Sequence, residues 1–181
     1  MSYHPNLLLL LLTLSISLQG HILLASDTEA GIGFIQFTCK QTSEYDLCVS
    51  ILESDPTSLT ADLKGVLTNA LKVTTAYAAD LATNVTELTR TTQDPFLLQF
   101  YTDCSEHYMD AVDQIDDSVV ALDSKGYSDV NAWVNAAIAD AESCEAGFSQ
   151  KAGFKSTISD QSEHFEKLCR IILDITKALA G

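Results

Sequence analysis

The stretch PFLLQFYTDCSEHYMDAVDQIDDSVVALD, residues 95–123, predicts one long helix with two different faces. Apolar or small residues recur in steps of three and four, which keeps them on one side of the helix: Tyr101, Cys104, Tyr108, Ala111, Ile115, Val119 and Leu122. Acids recur in the same steps on the other side: Asp103, Glu106, Asp110, Asp113 and Asp117. Because acids four residues apart repel one another, helix stability does not explain this row. The row is either a solvated face or a docking surface for a basic partner.

The residues before and after this stretch predict its boundaries and a long helix in front of it. An apolar stripe from Leu59 to Leu88 keeps a helical period for about 30 residues. Asp94 and Pro95 then supply an N-cap and a first helical residue. At the other end, Ser124-Lys125-Gly126 closes the helix, and we expect Gly126 to provide the C-terminal turn.

Two more amphipathic helices follow. The first begins near Ser128 and carries the stripe Val130, Trp133/Val134, Ala137, Ala141, Cys144 and Phe148. After a looser link at 149–155, the second carries Ile158, Phe165, Leu168, Ile172, Ile175 and Leu179. Short links make neighbouring helices antiparallel, so we predict an all-α fold, an antiparallel up-down-up-down four-helix bundle with two disulfides. Two short helical stretches, 28–40 and 43–54, form a helical hairpin in front of it.

The five cysteines favour disulfides, because none has the C-x-x-C spacing of a zinc or redox site. Cys39 and Cys48 lie nine residues apart, within reach of each other across the hairpin. Cys104 and Cys144 are equally distant from residue 124, so two antiparallel helices folded at that turn place them side by side. We therefore predict the bridges Cys39–Cys48 and Cys104–Cys144. Cys169 is left as a buried free thiol, with intermolecular pairing as the alternative.

Charge and the N-terminus limit the possible partners and the location. The chain has 181 residues, with 10 Lys or Arg against 25 Asp or Glu and a formal net charge of −15. This balance argues against nucleic acid and anionic membranes as partners, since both need basic patches. Residues 1–25 contain no Asp, Glu, Lys or Arg, residues 7–18 are almost all apolar, and the stretch ends in the small residues Ala25 and Ser26. This pattern predicts a secretory signal peptide cleaved between Gly20 and Ser26. An N-terminal membrane anchor is the alternative; otherwise we expect a secreted, extracellular protein without a membrane segment after cleavage.

The sequence offers no pattern typical of an enzyme. Residues 26–181 contain two histidines, His107 and His164, which we interpret as ordinary surface or boundary residues. No phosphate-binding loop, nucleophile motif or calcium loop is present, and we predict neither a metal nor a cofactor. Asn84-Val85-Thr86 is a glycosylation sequon. The single tryptophan, Trp133, is expected to serve packing.

The order and spacing of these features resemble the plant invertase and pectin methylesterase inhibitor family over the whole chain after the signal peptide. The resemblance is carried by Thr38-Cys39-Lys40, Tyr45-Asp46-Leu47-Cys48, Glu53-Ser54-Asp55-Pro56, Ala61-Asp62-Leu63-Lys64-Gly65, Cys104-Ser105-Glu106, Cys144-Glu145-Ala146-Gly147-Phe148 and Leu168-Cys169. It implies one inhibitor domain over 26–181, with the hairpin at 27–57 and the bundle at 58–181. It also implies a secreted protein inhibitor without catalytic residues of its own.

The resemblance further implies a partner and a contact surface. In the pectin methylesterase branch the bundle covers the enzyme's substrate cleft in a one-to-one complex, and the matching contact residues here are Glu106, Asp110, Asp113 and Ser143. The invertase branch uses a Pro-Lys-Phe segment near the second link of the bundle, where this chain has Lys125-Gly126-Tyr127. We therefore favour pectin methylesterase as the partner and keep acid invertase as the alternative. A secreted bundle that carries an apolar ligand, or acts as a signal, is a third hypothesis without positive support.

Overall fold

The computed structural model describes residues 28–149 and 156–181, and all regular structure within these ranges is helical. The elements are α1 (28–39), α2 (Tyr45–Glu53), a 3₁₀ turn (Ser58–Thr60), α3 (Leu63–Thr91), α4 (Pro95–Asp123), α5 (Tyr127–Ser149) and α6 (Ser159–Ala180). The predicted signal peptide and most of the predicted 149–155 link lie outside the described residues. Within the described ranges, no helix is both long and apolar enough to cross a lipid bilayer.

Helices α3 to α6 form a closed ring in which each helix packs on two others. α3 packs against α4 and α6, and α5 packs against the same two helices. Neighbours run in opposite directions: Lys64 near the start of α3 bonds Asp123 at the end of α4 at 3.0 Å. Likewise, Glu145 near the end of α5 accepts a hydrogen bond from Ser159 at the start of α6 at 2.7 Å. The predicted antiparallel four-helix bundle is confirmed.

The core lies on the central axis of this ring. Its largest fully buried side chains include Tyr108 of α4, Phe148 of α5 and Phe165 of α6. The Tyr108 hydroxyl is hydrogen-bonded to Ser162 across the core, and burial raises the pKa of Tyr108 well above its usual range. One predicted core residue does not belong to it: Trp133 is 41% exposed, whereas its neighbour Val134 is fully buried. The two residues lie about 100° apart on the helix, so only one of them can face the axis.

Helix caps explain where α3 and α4 begin. Asp62 caps α3 by accepting a hydrogen bond from the Gly65 amide at 2.8 Å. The predicted long helix was therefore placed too early, because Leu59 lies in the separate 3₁₀ turn before this cap. Asp94 caps α4 as predicted, accepting from the Phe96 amide at 2.8 Å.

The turn between α4 and α5 differs from the prediction in one detail. The residue with left-handed backbone is Lys125, with a φ of 59°, rather than Gly126. The Gly126 amide donates to the Ala121 carbonyl at 2.8 Å, and a Cβ at this glycine would lie only 3.3 Å from that oxygen. Glycine at this position therefore favours the close approach of the link to the end of α4.

Two disulfides join the predicted pairs. Cys39–Cys48 connects α1 with α2 at a Cα–Cα distance of 5.6 Å, and Cys104–Cys144 connects α4 with α5 at 4.7 Å. Cys169 is a buried free thiol, and burial raises its pKa far above the usual value. The hairpin of α1 and α2 also contacts α6 away from its bridge, because both the amide and the hydroxyl of Ser43 donate to Asp174.

Candidate docking face

Four acids form an exposed line along the outer side of α4, which we call the acid ridge: Glu106, Asp110, Asp113 and Asp117. At 1.5 Å per residue the ridge is about 16 Å long. None of the four has a hydrogen bond or ion pair with any residue that the structure describes. Their charges are therefore available to a partner.

The other three acids of α4 have partners within the chain. Asp103, at the edge of the ridge, accepts a hydrogen bond from Gln99 at 2.7 Å. Asp116 and Asp123 turn towards α3, where they bond Thr75 at 3.2 Å and Lys64 at 3.0 Å. The structure thus separates the acids of α4 into a free row and a set engaged in the fold, which the sequence pattern alone did not resolve.

The acidic character extends beyond α4. Together α4 and α5 carry eleven Asp or Glu residues and no Lys or Arg. The other two helices of the bundle carry basic residues, which are Lys64, Lys72 and Arg90 in α3 and Lys167, Arg170 and Lys177 in α6. Most of the net charge of −15 therefore lies on one half of the bundle. The contribution of α5 was not predicted from the sequence, although residues 126–150 contain no Lys or Arg.

One border of the acid ridge is the α4–α5 seam, by which we mean the surface line where these two helices meet. Ser143 of α5 is exposed there and shares a cleft of about 350 Å³ with Asp103 and His107 of α4. Its hydroxyl donates to the Ala139 carbonyl of its own helix at 2.7 Å. Ser143 thus lies on the same side of the molecule as the ridge.

The seam itself is held by a polar network. His107 Nδ1 lies 2.7 Å from one carboxylate oxygen of Asp140, and the Gln114 amide donates to the other at 2.8 Å. His164 is likewise engaged, with its ring 4.8 Å from that of Tyr77. In the described part of the chain, no group of three or more His, Cys, Asp or Glu residues is arranged to hold a metal ion. The histidines serve packing between helices in this arrangement.

The other border of the ridge is a groove of about 520 Å³ between α3 and α4. Its lining is largely apolar, but it also contains charged side chains. The lining residues are Ala79, Ala82, Thr83, Thr86, Glu87, Arg90, the half-exposed Met109, Val112 and Asp113. The ridge therefore stands between a largely apolar groove and the polar seam, which is the layout of a surface that combines charge with apolar contact.

Asn84 of the sequon lies on the α3–α6 side of the bundle. It is exposed, and its amide donates to the Gln161 side chain at 3.2 Å. The sequon hydroxyl, Thr86, is half-buried and hydrogen-bonded to Ser105 at 2.7 Å. Glycosylation of Asn84 stays a prediction, and a glycan at this position would leave the α4–α5 side uncovered.

Fold and surface together define a class of protein: a disulfide-bridged four-helix bundle with an N-terminal helical hairpin and one strongly acidic half. The family model described as plant invertase/pectin methylesterase inhibitor matches residues 33–175. The chain belongs to this family.

Individual relatives agree in fold and differ in the named target. The chain is 33% identical over 143 residues to a pectinesterase inhibitor of Actinidia deliciosa, covering 79% of this chain and 77% of that protein. It is 32% identical over 174 residues to a cell wall/vacuolar inhibitor of fructosidase of Arabidopsis thaliana, covering 94% and 95%. The crystal structure of a mutant pectin methylesterase inhibitor from Arabidopsis matches with a TM-score of 0.66 at 22% identity, covering 77% and 92%, which shows the shared fold. These relatives are named as inhibitors, and their names differ in the enzyme that is inhibited.

Proposed function

We propose that the protein is a secreted inhibitor of a pectin methylesterase and covers the substrate cleft of the enzyme in a one-to-one complex. The observation that carries the proposal is the acid ridge of α4, together with the absence of Lys and Arg from α4 and α5, in a chain of this inhibitor family. Glu106, Asp110, Asp113 and Ser143 are the proposed contact residues. Because the predicted signal peptide would export the chain, the proposed site of action is the cell wall.

Charge favours the esterase over the invertase. A pectin methylesterase converts methyl esters of a galacturonan into carboxylates, so its cleft must accommodate a polyanion. Cationic side chains suited to that product would also attract the acid ridge. Sucrose, the substrate of an invertase, is neutral and sets no such requirement.

The link between α4 and α5 supports the same choice. It consists of Ser124, Lys125 and Gly126, and the amides of the last two donate to Leu122 and Ala121 at 3.0 and 2.8 Å. A link held this closely to the helix end offers no segment for insertion into an active site. Acid invertase remains the second candidate, because three relatives, from Platanus acerifolia, Platanus orientalis and Arabidopsis thaliana, are named as inhibitors of invertase or fructosidase.

The test is a parallel titration of a cell-wall pectin methylesterase and an acid invertase with the mature protein near pH 6. We expect the esterase to lose its activity at equimolar, micromolar inhibitor, and the invertase to keep it. No loss of esterase activity under these conditions would contradict the proposal.

The contact surface is tested by charge reversal with a matched control. Asp110→Lys combined with Asp113→Lys should weaken inhibition at least about 100-fold, because like charges brought together in an interface cost several kcal/mol. The control is Asp46→Lys combined with Asp80→Lys, the same change in net charge at exposed acids of α2 and α3. It should leave inhibition within a few-fold of wild type. Equal effects of the two variants would show that net charge alone, rather than the ridge, attracts the enzyme.

A further inference from the structure

Two lines of residues seven apart face each other along the α4–α5 seam. On α4 the line is Phe100, His107 and Gln114, and on α5 it is Gly147, Asp140 and Trp133. Seven residues are almost two helical turns, so the members of each line lie nearly on one side of their helix.

The first two pairs of these lines are in contact. A Cβ placed on Gly147 would lie 2.7 Å from the Phe100 ring, and Asp140 lies 2.7 Å from His107. Because the helices are antiparallel, the same register predicts that Trp133 lies beside Gln114. The side-chain oxygen of Gln114 is buried without a hydrogen-bond partner among the described residues, which fits a bulky neighbour that covers it.

The packing of the bundle buries only part of the Trp133 side chain. Val134 supplies the buried contact of this helical turn, while Trp133 remains 41% exposed. Trp133 is also the only tryptophan of the chain. A large, partly exposed aromatic ring held on a rigid helix is the type of residue enriched at the energetic centre of protein interfaces.

The position of Trp133 relative to the acid ridge specifies the kind of partner. Asp110 and Asp117 lie four residues before and three residues after Gln114, on the solvent side of α4. Neither α4 nor α5 has a Lys or Arg that could occupy the ring face or neutralise these acids. An indole flanked by carboxylates is suited to a cationic side chain, because the ring attracts the cation and the acids pair with it.

We propose that Trp133 is an aromatic anchor of the inhibitory interface and receives an Arg or Lys side chain from the rim of the enzyme's cleft. This inference rests on the proposed function, since the enzyme is the occupant. Ser143 lies ten residues further along α5, about 15 Å away. The anchor and the hydroxyl thus mark two ends of the seam, and the acid ridge runs beside both.

The experiment compares three variants in the esterase titration. Trp133→Ala should weaken inhibition by roughly 10- to 100-fold, as loss of a central interface residue does. Trp133→Phe should restore part of this loss, because it keeps an aromatic face. Phe37→Ala removes an even more exposed aromatic side chain from α1, where Phe37 is 65% exposed, and should change nothing. Far-ultraviolet circular dichroism checks that all three variants fold.

A direct readout uses the single tryptophan. Protein labelled with 5-fluorotryptophan should give one ¹⁹F resonance, which we expect to shift and broaden when esterase is added. The proposed role of Trp133 would be overturned if Trp133→Ala inhibits within twofold of wild type, or if the ¹⁹F resonance is unchanged in the inhibited complex. Either result would leave the proposed inhibitory function intact. Failure of the wild-type protein to inhibit the esterase would overturn the function and the anchor together.

Discussion

Gly31 brings the backbone of α1 into close contact with the 3₁₀ turn at Ser58–Thr60. A Cβ built on Gly31 would lie 2.0 Å from the carbonyl oxygen of Leu59 and 2.8 Å from its carbonyl carbon. Both atoms belong to the backbone of the 3₁₀ turn, so no side-chain rotation can relieve the overlap. In Gly31→Ala, α1 must therefore move away by roughly 1 Å or more to reach an ordinary contact distance.

The expected energy follows from two opposing effects. Replacing a helical glycine with alanine gains about 1 kcal/mol of helix propensity. Overpacking of a tight contact costs about 1–3 kcal/mol and more where backbone must shift. We expect a net loss of about 2 kcal/mol in the free energy of unfolding for Gly31→Ala.

Gly33 provides the matched control in the same helix. It is exposed, and a Cβ built there meets nothing within 4 Å. Gly33→Ala should therefore gain about 0.5–1 kcal/mol. The two variants should differ by about 3 kcal/mol, or roughly 6–12 °C in melting temperature for a chain of this length.

The assay is thermal unfolding followed by circular dichroism, with hydrogen exchange of residues 28–39 as a second readout. Exchange covers the case in which α1 detaches while the bundle stays folded, because the loss would then appear as faster exchange in α1 alone. Similar melting temperatures and similar α1 protection in the two variants would refute the reasoning from this contact.

Three further predictions concern the bundle. Replacing both Cys104 and Cys144 with Ser opens a loop of 40 residues and should cost about 4 kcal/mol in denaturant unfolding; a loss below about 1 kcal/mol would contradict the chain-entropy argument. Glu145→Ala removes the acceptor of three serine hydroxyls at the start of α6 and should cost about 2–4 kcal/mol, whereas the exposed Glu142→Ala should stay within about 0.5 kcal/mol. Cys169 should resist thiol reagents until guanidinium unfolds the chain. Burial raises the pKa of the Cys169 thiol above its ordinary value of 9.0, so above pH 9 the thiol ionises more readily in the unfolded chain than in the folded one. The contribution of Cys169 to the free energy of unfolding is therefore complete below pH 9 and is lost as the pH rises above it. Cys169→Ala should make the free energy of unfolding fall less steeply above pH 9.

The bundle could be predicted because its determinants are local. Apolar residues in steps of three and four specify which side of each helix is buried, and short links specify antiparallel neighbours. The bridge between Cys104 and Cys144 followed from their equal distance to the turn at residue 124. The acidic row of α4 was visible for the same reason, since its members share one helical side.

The tertiary structure decided what depends on neighbours from distant parts of the chain. The helical period could not decide whether Trp133 or Val134 is buried, because the two adjacent residues lie on either side of the predicted buried stripe. The packing of the neighbouring helices buries Val134 and leaves Trp133 41% exposed. It also could not distinguish the acid ridge from Asp116 and Asp123, whose partners lie on α3. A helical stripe shows which residues can be buried, and the packing of the other helices determines which of them are. The proposed docking face, with Trp133 at the α4–α5 seam, is therefore a product of helix packing.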